Sequence, residues 1–215
     1  MNTVSIPDGQ VKLGGELHVP ENANGIVLFA HGSGSSRFSP RNTYVAKVLQ
    51  QQNIGTLLFD LLTPEEEGNY ETRFDISLLS RRLIAATNWV KGQMKGLKLG
   101  YFGASTGAAA ALLAAAKEDN EIAAIVSRGG RPDLAGEAAL SRVKSPTLLI
   151  VGSLDDVVIE LNREAYALMN CEKQMVLIEG ATHLFEEPGT LEQAAKNAAS
   201  WFVSHFNANQ TRVET

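Results

Sequence analysis

With 215 residues, 44% of them hydrophobic, 20% charged and a formal charge of −5, the chain suits one globular domain with a full core. That balance gives no electrostatic reason to expect nucleic acid or an anionic membrane as partner, and no run approaches the roughly eighteen apolar residues of a membrane span. A lone cysteine, Cys171, excludes an internal disulfide, and the first ten residues lack a basic segment followed by an apolar one, so a soluble cytoplasmic protein is expected.

Residues 3–6 and 11–19 alternate in polarity around Pro7-Asp8-Gly9, which predicts an opening antiparallel hairpin with His18 as a sheet residue. Residues 25–30, GIVLFA, form a continuous apolar run of the kind buried on both faces of a parallel sheet. His31-Gly32-Ser33-Gly34-Ser35-Ser36-Arg37 follows directly. Such a loop can aim backbone N–H groups at a developing negative charge, although a surface turn has the same composition. Residues 44–52 predict an amphipathic helix and residues 56–59 the next strand. Residues 64–70 read as a polar loop whose acids, Glu65, Glu66 and Glu67, are solvated, with no matching metal-ligand types beside them. A long helix is expected over 73–90.

The apolar run 97–102 leads into Gly103-Ala104-Ser105-Thr106-Gly107, and an alanine-rich run with strong helix propensity continues to 116. The order is strand, sharp turn, helix, which would push the Ser105 hydroxyl out above the sheet. With 19 glycines in the chain the pentapeptide alone is a moderate signal, and its context is what raises it. One oxyanion donor in this arrangement is the N–H after the nucleophile, here Thr106, and the second comes from the loop after an earlier strand, here Ser33 or Gly34. A strand over 122–126 ends in Ser127-Arg128-Gly129-Gly130-Arg131, and the short gap to the strand 147–151 leaves no room for a cap domain. That strand exits into Gly152-Ser153-Leu154-Asp155-Asp156. A helix over 160–169 precedes the strand 174–178, which runs out into Glu179-Gly180-Ala181-Thr182-His183. A last helix over 191–206 carries an apolar stripe, and a polar tail, 207–215, is expected to fray. Ser105, Asp155 and His183 thus each lie just past a predicted parallel strand, where ligand sites of open α/β sheets are found.

From 25 to 206 the chain resembles an α/β-hydrolase, in particular the small capless members of the dienelactone hydrolase-like group. The resemblance rests on the His31-Gly32-Ser33-Gly34 loop, the Gly103 to Gly107 elbow, Gly152-x-x-Asp155 and Gly180-Ala181-Thr182-His183. It implies an α/β fold with a mostly parallel central sheet, an N-terminal antiparallel hairpin, helices on both faces and a single domain. It also implies a triad in which Ser105 attacks, His183 is general base and then acid, and Asp155 orients the imidazole, with Asp156 as the alternative one residue away. His31 would support the oxyanion loop, and no metal or organic cofactor is required. Dienelactone hydrolases proper use cysteine at the elbow, so Ser105 points to ordinary carboxylic esters, and the short gap after Gly130 to small soluble ones; thioesters and perhydrolysis would use the same triad. A reading of a different class is a non-catalytic ligand-binding or interaction module on the same fold. Arg37, Arg41 and Arg128 stand near the site edge and could bind a substrate carboxylate or phosphate; the alternative is pairing with acids such as Asp60, Asp133 or Glu65 to Glu67. Members of the family often pair through surface helices, which makes a homodimer one assembly to expect.

Overall fold

The computed structural model describes residues 2–117 and 121–207; residues 208–215 of the tail expected to fray lie outside the described residues. Strands β1 (Asn2–Asp8) and β2 (Val11–His18) form the opening hairpin, with Asp8 opposite Val11. The turn is Gly9-Gln10, with Gly9 at φ 61, slightly later than the proline-containing signal. Pro7 is accommodated inside β1 because that strand is the outer edge of the sheet, where a missing N–H breaks no ladder on its free side.

The chain then runs β3 (Gly25–Ala30), α1 (Pro40–Gln50), β4 (Gly55–Phe59), α2 (Pro64–Glu67), α3 (Ile76–Gln93), β5 (Lys98–Ala104), α4 (Thr106–Lys117) and β6 (Ile122–Arg128). It continues through α5 (Glu137–Leu140), β7 (Thr147–Gly152), α6 (Asp156–Leu168), β8 (Lys173–Ile178) and α7 (Thr190–Asn207). These strands make one sheet in the order β1-β2-β4-β3-β5-β6-β7-β8. Strand β2 meets β4 antiparallel, and from β4 to β8 every pairing is parallel.

Alternation along the buried strands sorts the core into two layers. Ile26, Leu28, Leu57 and Tyr101 face Leu79, Leu83, Ala86 and Val90 of α3 and the alanines of α4. Val27, Phe29, Leu58, Phe102 and Val126 face Val45 and Leu49 of α1 and Ala194, Ala198 and Phe202 of α7. Each fully buried leucine or phenylalanine contributes about 2 kcal/mol of transfer free energy, so the two layers supply the main driving force for folding. Helix α7 lies so close that a Cβ on Gly100 would sit 2.7 Å from the Phe202 ring. Among the described residues no helix is long and apolar enough to cross a membrane.

Several boundaries differ from the sequence expectations, among them the start of α6 at Asp156 rather than 160 and the shift of α3 from 73–90 to Ile76–Gln93, and three others have a clear local reason. Helix α1 starts at Pro40 because the Ser39 hydroxyl accepts the Asn42 N–H and proline suits a first helical position, a capping signal that hydrophobic periodicity does not register. The expected polar loop over 64–70 begins instead with α2, closed by a capping box between Thr63 and Glu66. Strand β6 extends through Arg128, which places that side chain on the sheet rather than in the following loop.

Candidate active site

Strand β5 ends at Ala104 and α4 begins at Thr106, so Ser105 alone makes the bend, at φ 51. This left-handed conformation costs a non-glycine residue about 1 to 3 kcal/mol and persists only where neighbours enforce it. Here the Ser105 carbonyl accepts N–H groups from Ala108 and Arg131, and its own N–H donates to the Arg128 carbonyl at 3.4 Å. Strand and helix pass very close: a Cβ on Gly103 would lie 2.7 Å from the Ala108 nitrogen, and one on Gly107 would lie 2.6 Å from the Ala30 carbonyl carbon. Both outer glycines of the pentapeptide are therefore steric necessities.

The other two residues of the expected triad come from the exits of β7 and β8. Asp155 occupies the N-cap position of α6 yet makes no capping hydrogen bond, which leaves its carboxylate for another partner. Its Oδ2 lies 2.7 Å from Nδ1 of His183. The two exits are stitched together: Ser153 N–H donates to the Ile178 carbonyl, Leu154 N–H to the Ala181 carbonyl, and Gly180 N–H to the Ser153 hydroxyl. A Cβ on Gly152 would come within 2.7 Å of the Thr182 carbonyl oxygen, so this glycine permits the approach. Asp156 opens α6 and is exposed; of the two adjacent carboxylates, Asp155 is the one on the imidazole. With Nδ1 donating to Asp155, Nε2 is left as an acceptor, and the His183 side chain is 40% exposed.

Ser105 and His183 line one cavity of about 170 Å³ together with Gly32, Ser33, Arg41 and Arg128. Ser33 N–H donates to Thr106 Oγ1 at 2.9 Å, which brings the Ser33 amide beside the first turn of α4. Thr106 is the first residue of that helix, so its own N–H has no partner within it. Gly34 is turned elsewhere: its N–H donates to Glu67 Oε1 at 3.1 Å, and it does not line the cavity. Glu67 also meets Nε of Arg73 at 3.1 Å, so this acid of the expected solvated loop instead holds the glycine loop in place.

His31 is buried beneath the same loop. Its Nδ1 lies 2.9 Å from the Gly32 carbonyl and its Nε2 accepts the Leu61 N–H at 3.0 Å, which assigns the neutral form with the proton on Nδ1. Burial pushes the His31 pKa below the ordinary 6.5, against smaller opposing contributions from the Gly32 carbonyl, Asp60 and Glu67. Below pH 6.5 the unfolded chain therefore takes up a proton that the folded chain refuses. This contribution to stability falls as the pH drops from there towards the depressed native value. The urea midpoint is expected to fall less between pH 7.5 and 5.5 in His31→Gln than in the unmodified chain; equal falls would remove His31 from the pH response.

The arginines separate in space. Arg37 pairs with Asp60 and lies outside the cavity wall, so the structure does not bring it to Ser105. Arg131 pairs with Asp133 at 2.8 Å. Arg41 and Arg128 both line the cavity. Sequence reading missed Ser35, Ser39, Asn42 and Leu184, which also line it. The Ser39-Pro40 capping signal could have placed Arg41 and Asn42 on the first turn of a helix facing the site. Among the described residues no group of three or more His, Cys, Asp or Glu side chains is arranged to hold a metal ion.

Comparison with known proteins agrees with this fold. The sequence profile of the family described as PETase, PET hydrolase-like, matches residues 73–215, a span that includes Ser105, Asp155 and His183. The crystal structure of a dienelactone hydrolase from Anabaena variabilis is 54% identical, with 95% of this chain and 97% of that chain covered and a TM-score of 0.92. An α/β serine hydrolase homologue from Coxiella burnetii, 20% identical, shares the fold with a TM-score of 0.77 over 93% of this chain and 96% of its own. Two Mycobacterium tuberculosis proteins, provisionally named phosphoribosyl transferases, are each 58% identical over 205 residues. Those matches cover 94% of this chain and 46% of the relatives, so the chain spans about half the length of the curated relatives it matches. A left-handed serine elbow, an eight-stranded sheet with an antiparallel entrance and a profile match over most of the length lead to one assignment: the chain belongs to the PET hydrolase-like family of α/β-hydrolases, in its dienelactone hydrolase-like group.

Proposed function

We propose that the protein is a serine hydrolase that cleaves small carboxylic esters through Ser105, His183 and Asp155. The observation that carries this reading is the 2.7 Å contact between His183 Nδ1 and Asp155 Oδ2, in a chain whose elbow serine shares a cavity with that histidine. A serine hydroxyl is almost wholly protonated at neutral pH and is a weak nucleophile by itself. His183 Nε2 takes the hydroxyl proton as Oγ attacks the acyl carbon, and the Asp155 carboxylate stabilises the imidazolium without accepting the proton.

The tetrahedral oxyanion is stabilised by the N–H groups of Thr106 and Ser33. In the resting chain the Thr106 hydroxyl occupies the Ser33 amide, and rotation of that side chain hands the amide to the oxyanion. His183 then protonates the departing alkoxide, and water, activated by the same imidazole, releases the acid from the acyl-enzyme. A cavity of about 170 Å³ is well below the roughly 300 to 1,000 Å³ typical of drug-sized ligands, which supports short acyl and alcohol parts. The name of the Anabaena relative, a dienelactone hydrolase, also supports an ester or lactone bond as the target.

Labelling with a neutral fluorophosphonate tests this directly. The unmodified chain is expected to take up the probe, Ser105→Ala and His183→Ala to take up none, and hydrolysis of 4-nitrophenyl acetate and butyrate to vanish in the same two variants. A folded, unmodified chain that resists the probe would overturn the proposal in favour of a ligand-binding module.

A further inference from the structure

Arg128 ends β6 and stands in register with Ala104, the residue before the elbow serine. It is only 7% exposed. Its Nε and Nη1 are buried without a hydrogen-bond partner, and among the described residues no carboxylate meets its guanidinium. Another cation, Arg41, lines the same cavity and acts on its charge. The rings of Phe102 and Phe185 flank it at 5.9 and 5.8 Å, near the outer limit of cation–π attraction. By contrast, Arg37, Arg73, Arg82, Arg131 and Arg163 each meet an aspartate or glutamate.

A buried charge without a partner is costly, and folding alone gives no return for placing one beside Ser105. Burial, with a smaller contribution from Arg41, pushes the Arg128 pKa down to about 10, which still leaves it cationic near neutrality. The Arg41 Nε is likewise buried and unpartnered, while its Nη1 reaches the exposed Glu186 at 3.2 Å. Among the described residues no aspartate or glutamate lines the cavity, although the chain as a whole carries a formal charge of −5. The cavity therefore holds positive charge in excess, and a guanidinium fork offers two parallel N–H groups suited to an oxyanion.

We propose that Arg128, with Arg41 beside it, binds an anionic oxygen group carried by the substrate, a carboxylate or a phosphoryl group, so that the preferred substrate is a small ester with an ionised substituent. This rests on the ester-hydrolase reading of Ser105 and names the substrate class of the same site.

The test reads binding without turnover, in the full chain carrying Ser105→Ala. Titration calorimetry compares monomethyl succinate, 2-acetoxyethyl phosphate and the neutral dimethyl succinate. At least one anionic ester is expected to bind about tenfold or more tightly than the neutral one, and the tighter of the two identifies the anion. Adding Arg128→Met should abolish that preference, while Arg128→Lys should keep part of it, since the charge stays and the fork is lost. Equal affinity for charged and neutral esters overturns the proposal, as does a preference that survives in a folded Arg128→Met chain. If the methionine variant does not fold, an undiminished preference in Arg128→Lys overturns it equally. The neutral fluorophosphonate reports on Ser105 alone, so failure of the ester reading appears there and failure of the anion subsite appears in the calorimetry.

Discussion

Asp155→Asn is expected to lower kcat for 4-nitrophenyl acetate by about a thousandfold or more, whereas Asp156→Asn should stay within about twofold of the unmodified chain. The two carboxylates are adjacent in sequence and chemically identical, and only their environments differ. Asp155 stands 2.7 Å from His183 Nδ1 with its side chain 15% exposed, while Asp156 is exposed on the first turn of α6. An amide at 155 can present its NH2 to Nδ1, which favours the tautomer with the proton on Nε2. Nε2 could then no longer accept the serine proton, and the imidazolium would lose its counter-charge. Steady-state kinetics on both variants, with circular dichroism to verify folding, decides the matter. Similar losses at both positions would mean that the helix terminus matters rather than one carboxylate.

Gly107→Ala is expected to destabilise the fold by about 3 kcal/mol or more, lowering Tm by about 6 to 12 °C in a domain of this size. The added methyl would press on the backbone of Ala30 and His31, neither of which can swing aside as a side chain could. Relief requires α4 to move away from β3, and such a shift would carry Ser105 and the Thr106 amide with it. Activity should therefore fall with stability. Gly92→Ala makes the contrast: that glycine lies in α3, and an added methyl there would meet no atom within 4 Å. It should be neutral or raise stability by up to about 1 kcal/mol through helix propensity. Differential scanning calorimetry on both variants gives the comparison, and a silent Gly107→Ala would mean that the elbow packs more loosely than described.

Much of the fold was legible because it depends on local pattern. Apolar runs such as 25–30 and 147–151 have one comfortable place, a strand covered on both faces, and the alanine run after Ser105 could hardly be anything but a closely packed helix. The elbow was legible because its two glycines answer a steric demand that few other sequences meet. Capping signals at Ser39 and Thr63 were also present in the sequence, but periodicity alone passes over them. The arginines were a different matter. Arg37, Arg128 and Arg131 all lie close to the ends of apolar strands, and nothing in their spacing says that two of them meet aspartates while the third is buried without one. That sorting arises from tertiary packing. So does the difference between Ser33 and Gly34, whose amides donate to Thr106 and Glu67 respectively.

Arg82 of α3, almost wholly buried, joins Asp8 at the tip of the opening hairpin to Glu66 of α2, at 2.7 and 2.6 Å. The next residue, Glu67, holds the Gly34 amide of the loop that borders Ser105. Hairpin, guanidinium, short helix and glycine loop thus form a chain of mechanical links running from the sheet's outermost edge to the mouth of the cavity. An edge strand usually serves a fold by ending it; this one also acts as a tether, so that anything peeling β1 from β2 would slacken the rim of the cavity.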